Sequence, residues 1–253
     1  MLPQKITLYF ETSAQLPPPY SYQYSLELRP TDQSLEAHLI LSYTHREDLE
    51  ADEIEAEGFT ANDDYEWKGA LEKVWKDELE KLWKKTETIS PDQAPAEQED
   101  LLLLQIIDAE IRQPKNKTEW LYVAQELMQA VYETSGKERP FELQVINKTP
   151  TDTYEAVLTA SFKNRTAQLK RIINGKSDLH FFAWKKLPVL METLYEADWL
   201  SDMAKSQKPT KAGLYLSLGD GLWYEWGKQI VAPSKGSKAL EKIKKAVLEL
   251  LSV

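Results

Sequence analysis

The chain has 253 residues, 42% hydrophobic and 10% aromatic, which is enough apolar material for one large core or two modest ones. Its 41 acidic residues outnumber 31 basic ones, and the resulting field repels phosphate backbones and anionic lipid, which argues against nucleic-acid and membrane partners. Cysteine is absent, which removes disulfides, thiolate catalysis and cysteine-bound metal centres.

The opening "MLPQKITLYF" carries no basic region followed by a long apolar core, and no stretch approaches the ~20 apolar residues that a bilayer span needs, so a cytoplasmic location is expected. Three period-two runs follow from Ile6: Ile6, Leu8, Phe10; then Tyr20, Tyr22, Tyr24, Leu26, Leu28; then Leu35, Ala37, Leu39, Leu41, Tyr43. They predict three antiparallel strands, wet on one side, with Pro17 to Pro19 and "RPTDQS" as connections. The tyrosine row shares its parity with Leu26 and Leu28, so it belongs to a core; Tyr20, which borders the proline loop, is kept as a candidate binding residue.

Residues 47–66 hold ten acidic side chains and no basic one, and form a solvated connection with a helical turn or short strand around Ile54. The spacing of a calcium loop is missing, and no metal site is expected. From Asp64 to about Lys85 the spacing of Trp67, Leu71, Val74, Trp75, Leu79, Leu82 and Trp83 predicts one long amphipathic helix that covers the tyrosine row, with Asp63 and Glu66 as its capping carboxylates. Residues 86–100 are polar and proline-interrupted, and supply the preferred domain boundary: 1–90 as a three-stranded sheet plus helix, and 91–253 as a second subdomain, the alternative being one continuous domain.

"LLLLQII" at 101–107 is a buried strand, and Thr118 opens a helix with Trp120, Ala124, Leu127, Met128 and Val131 on one side that stops at Gly136. Strands follow at 141–145 and 154–162. "TAQLKRIING" fits a short helix, "LHFFAW" a strand, and Pro188 the first turn of a helix through Leu200. "LYLSLGDGLWYEWGKQI" is a hairpin turning at Asp220-Gly221, and Ser237 to Leu251 is a terminal amphipathic helix. The fold class is therefore α+β, with mainly antiparallel sheets packed against amphipathic helices.

No nucleophile elbow, phosphate-binding loop or dinucleotide fingerprint occurs, so no cofactor is expected. His38 and His45 have opposite strand parity, and His180 sits in an apolar run as a structural histidine. In the last hairpin Trp223 and Glu225 share the face opposite Leu222, Tyr224 and Trp226, which puts a large ring beside a carboxylate. The expectation is a non-enzymatic binding or interaction protein using an aromatic-containing surface for a protein partner or small polar ligand. The alternative is a metal-independent hydrolase, acting on carbohydrate through two carboxylates drawn from Asp63, Glu66, Asp220 and Glu225.

Overall fold

Strict alternation decides the first sheet. In the computed structural model, which describes residues 2–91, 98–107 and 109–251, the three opening runs form β1 (Ile6–Glu11), β2 (Tyr22–Pro30) and β3 (Ser34–Tyr43). They pair as an antiparallel meander with Leu8 opposite Leu26 and Leu26 opposite Leu39, so the leucines of neighbouring strands stack on one face. Ile6, Leu8, Leu26, Leu28, Leu35 and Leu39 are fully buried there.

The acidic connection contains a single turn at residues 46–48 and the short helix α1 (Ala51–Ala56), whose only buried side chain is Ile54. The long helix expected from Asp64 is shorter than its spacing suggested. Residues Tyr65–Glu72 form strand β4 on the free edge of β3, and helix α2 spans only Lys73–Trp83. Trp67, Leu71 and Val74 fit a helical stripe, but Tyr65, Trp67, Gly69 and Leu71 also alternate, and the unpaired ladder of β3 rewards the strand. The Trp67 indole lies over Gly69, in space that a Cβ would need. Asp63 and Glu66 therefore do not cap a helix. Trp75, Leu79 and Leu82 of α2 are buried against β3 and β4.

After β5 (Thr88–Ile89) the chain returns to the same sheet through β6 (Leu101–Ile106), which pairs with β1, and β7 (Ile111–Pro114). The strand order is β4-β3-β2-β1-β6-β7-β5. Helix α3 (Lys117–Ser135) packs on α2, β4 and β7; its Trp120 is fully buried, donates from Nε1 to Thr86 Oγ1 at 3.0 Å, and Gly136 ends the helix at φ 76°. Contacts divide the chain at Glu138, not near residue 90, because β6 and β7 complete the first sheet. Residues 92–97 of the expected linker lie outside the described residues.

The second unit, 139–253, is a meander of β8 (Phe141–Lys148), β9 (Thr153–Ser161), β10 (Thr166–Ile173) and β11 (Lys176–Phe181). β10 replaces the helix expected at "TAQLKRIING": Ala167 and Leu169 alternate inward, and β9 and β11 pair with it on either side. Helix α4 (Leu187–Tyr195) and the two-residue β12 (Asp198–Trp199) lead to β13 (Gly213–Ser217), which pairs with β8. β14 (Tyr224–Glu225), β15 (Ile230–Val231) and helix α5 (Ala239–Leu251) complete the chain. The sheet order is β11-β10-β9-β8-β13-β14, while β12 and β15 form a separate ribbon. α5 packs over β9 and β10 and against α4, so the core lies between these helices and the face bearing Leu143, Val145, Ala156, Leu158 and Leu169. Both units are antiparallel sheets carrying helices, an α+β architecture.

Candidate functional site

The tyrosine row divides along its length. Tyr24 is buried, with its ring stacked on Phe10 at 4.9 Å; Tyr22 is half-buried; Tyr20 precedes the strand and is exposed. Burial first, then neighbouring phenols and Asp100, pushes the Tyr24 hydroxyl far above its ordinary value, so it stays protonated. Tyr132 of α3 responds in the same way, with Tyr43, Tyr22 and Tyr65 among its neighbours. The row is thus one wall of a phenol-rich core end that includes Tyr132 of α3. Lys137 sits over Tyr65 and Tyr132, 4.2 and 5.2 Å from the ring centres.

Tyr20 leaves the row altogether. Its hydroxyl donates to Glu57, which raises its pKa, and its ring meets Phe59 edge-on at 5.4 Å. Behind it Arg46 ties the proline loop to the acidic segment: Nε and Nη2 donate to Pro19 O, and Nη1 donates to Thr60 O and to Asp63 Oδ2 at 2.7 Å. The guanidinium lies 3.8 Å from the Tyr43 ring centre and 4.7 Å from that of Phe59. This is a joint between loops, with its cation already satisfied.

In the last hairpin of the second unit Tyr224 is buried, while Leu222, Trp223, Glu225 and Trp226 are all half-buried, so burial does not set the expected face of Leu222, Tyr224 and Trp226 apart from that of Trp223 and Glu225. Trp223 is half-buried and its backbone is engaged: it donates to Lys205 O at 2.7 Å and accepts from Lys205 N at 3.1 Å. Glu225 holds Lys228 at 2.6 Å. The connection is longer than a two-residue turn, since Leu216 pairs with Tyr224. Asp220 accepts from Leu222 N and, at 2.6 Å, from the Tyr224 hydroxyl.

The four candidate carboxylates do not meet as a reactive pair within either unit. Asp63 is bound by Thr60 and Arg46, Glu66 by His38 at 2.7 Å, Asp220 by Tyr224 and Glu225 by Lys228. His180, expected in an apolar setting, is exposed and bonds Asp178 at 2.6 Å.

The surface that sequence reasoning missed is β11. All six of its residues are exposed, with Leu179 at 65% and Phe181 at 79%, and nearby Val189 of α4 at 63%. Phe182 N donates to Ala167 O, and antiparallel alternation from that bond turns the backbone groups of Lys176, Asp178 and His180 toward β10. Those of Ser177, Leu179 and Phe181 face outward, where no strand among the described residues takes them. Beside the edge runs a groove of about 680 Å³ lined by Leu169, His180, Phe182, Val189, Leu190 and Leu250. The first unit treats its long edge differently: β4 presents exposed Glu66, Lys68 and Glu72, the charges that blunt strand-to-strand association. The signal in the sequence was the alternation of Leu179 and Phe181, which marks a strand; its place at the sheet edge depends on the order of distant strands. Comparison of the chain with protein-family models, with curated proteins and with solved structures finds no match.

Proposed function

We propose that the chain is a binding protein rather than a catalyst, and that it takes an extended segment of a protein partner along the open edge of β11. The observation that carries this reading is the coincidence, on one strand, of three outward-facing backbone positions with two large exposed apolar side chains. An added strand gains ladder hydrogen bonds from the backbone and side-chain contacts at alternate positions, with Phe181 as an aromatic anchor. Engaged carboxylates at Asp63, Glu66, Asp220 and Glu225 support binding over hydrolysis. The reading keeps the aromatic surface expected from the sequence but moves its centre from Trp223, Glu225 and Tyr20, each of which already has a contact, to Phe181.

Leu179→Pro tests it, because proline removes an outward N–H and leaves the bonds between β11 and β10 in place. Wild type and variant, shown to share the same fold by circular dichroism, are used to capture partners from extracts of the native host. Partners retained by the wild type and lost with the variant are expected. Equal capture by both proteins would overturn the reading.

A further inference from the structure

We propose that the segment received by β11 is β11 of a second copy of this chain, so that two six-stranded sheets join edge to edge about a two-fold axis. The inference rests on the strand-accepting reading above and names its partner. Its argument is one of register. The outward-facing backbone groups belong to the odd-numbered residues Ser177, Leu179 and Phe181, so an antiparallel copy must pair odd positions with odd.

Two such registers keep five of the six residues paired, those centred on Asp178 and on Leu179, whereas those centred on Ser177 and on His180 keep three. The one centred on Asp178 sets two aspartates against each other. The register centred on Leu179 brings Asp178 of each copy opposite His180 of the other, twice by symmetry. These residues already bond within one chain at 2.6 Å, so their side chains lie on the same face of β11 and within reach of each other. Of the two, the register centred on Leu179 is the one that avoids setting aspartate against aspartate, as like charges directly opposite each other disfavour pairing.

The opposite face agrees. Leu179 meets Leu179 across the axis, and each Phe181 lies opposite a serine, Ser177, which leaves room for the ring. A two-fold contact of this kind needs a self-complementary patch, and the sequence Ser177-Asp178-Leu179-His180-Phe181 supplies one. The strand is about 20 Å long, a small contact, so the dimer is expected to dissociate in the micromolar range.

Light scattering on the full chain, over concentrations from about 1 to about 200 μM, measures the mass directly. The wild type should rise from the 29.2 kDa of one chain toward twice that mass, and Leu179→Pro should stay at one. Asp178→Lys removes the acceptor that His180 would meet across the axis, and His180→Asp sets aspartate against aspartate; each should weaken association at least tenfold. The double variant Asp178→Lys with His180→Asp restores two pairs of opposite charges in this register, while the register centred on position 178 would set lysine against lysine on the axis, so the dimer should recover. A wild type that stays monomeric throughout, or a double variant no better than the single ones, overturns self-pairing. The capture experiment separates the two levels: a monomeric wild type with capture lost on Leu179→Pro overturns the second copy as partner, whereas capture indifferent to Leu179→Pro overturns the strand-accepting reading.

Discussion

Arg46→Met is the sharpest probe of how the first unit is held together. The arginine side chain is 10% exposed and its partner Asp63 24%, so the substitution keeps most of the aliphatic packing and removes the charge. Breaking one side of a buried pair costs about 3–5 kcal/mol. Asp63 retains its bonds from Thr60 N and Thr60 Oγ1 at 2.9 and 2.7 Å, which argues for the lower end of that range. Losing the stacking on Tyr43 and Phe59 adds about 0.5–1 kcal/mol for each ring, giving roughly 4 kcal/mol in all. With a urea slope of about 2 kcal/mol per molar, the midpoint of the first unit should fall by roughly 2 M. Tryptophan fluorescence follows the transition, and hydrogen exchange in peptides covering β3 and α2 assigns it to this unit. Burial raises the pKa of the Asp63 carboxyl, but its bonds from Thr60 and Arg46 outweigh that and hold it below the ordinary value. Its contribution is therefore present above the unfolded value of about 3.9 and is lost as pH falls through the lower folded one, so the gap between wild type and variant should narrow below about pH 4. A midpoint shift under about 0.5 M at neutral pH would refute the account, since it corresponds to only about 1 kcal/mol.

The Tyr24 hydroxyl has no hydrogen-bond partner among the described residues, so Tyr24→Phe should change stability by less than about 0.5 kcal/mol or raise it. Tyr24→Ala, which opens a hole beside Phe10, should cost about 3–5 kcal/mol; urea midpoints of the two variants decide the matter. Tyr224 is pushed up to about 12 by burial and by its bond to Asp220. A raised value means that its stabilisation is intact below the unfolded pKa of about 10 and disappears as pH climbs to the folded one. The stability difference between wild type and Tyr224→Phe should shrink over that interval, and ultraviolet titration should show the loss of one late phenol ionisation.

Elements whose residues obey a single period were legible in the sequence: the three opening strands alternate without interruption, and α3 combines a Trp120–Val131 stripe with a glycine stop. Trouble came where two periods coexist. Trp67 and Leu71 serve both a helix and a strand, and Leu169, Ile172 and Ile173 do the same in β10; in each case an unpaired neighbouring strand supplied the deciding energy. The return of β6 to β1 is a contact across more than ninety residues that no local pattern encodes, which is why the division of the chain fell elsewhere. The candidate site was hidden for the same reason. Alternation singled out Trp223 and Glu225, but Lys205 and Lys228, which engage them, are brought there by the fold. Phe181 reads as an ordinary core residue until β11 is found at the end of the sheet.

The two ends of the second sheet are unequal. β14 is only two residues long, and Lys205 bridges Trp223 just ahead of it, whereas β11 runs for six residues with its flank bare. A molecule with adhesive flanks at both ends could recruit neighbours without limit, as fibrils do. With one such flank among the described residues of this sheet, the first union consumes the place at which another could begin. The stoichiometry of assembly through this sheet is thereby capped at two, and crowding the protein to high concentration should saturate at pairs instead of seeding polymers.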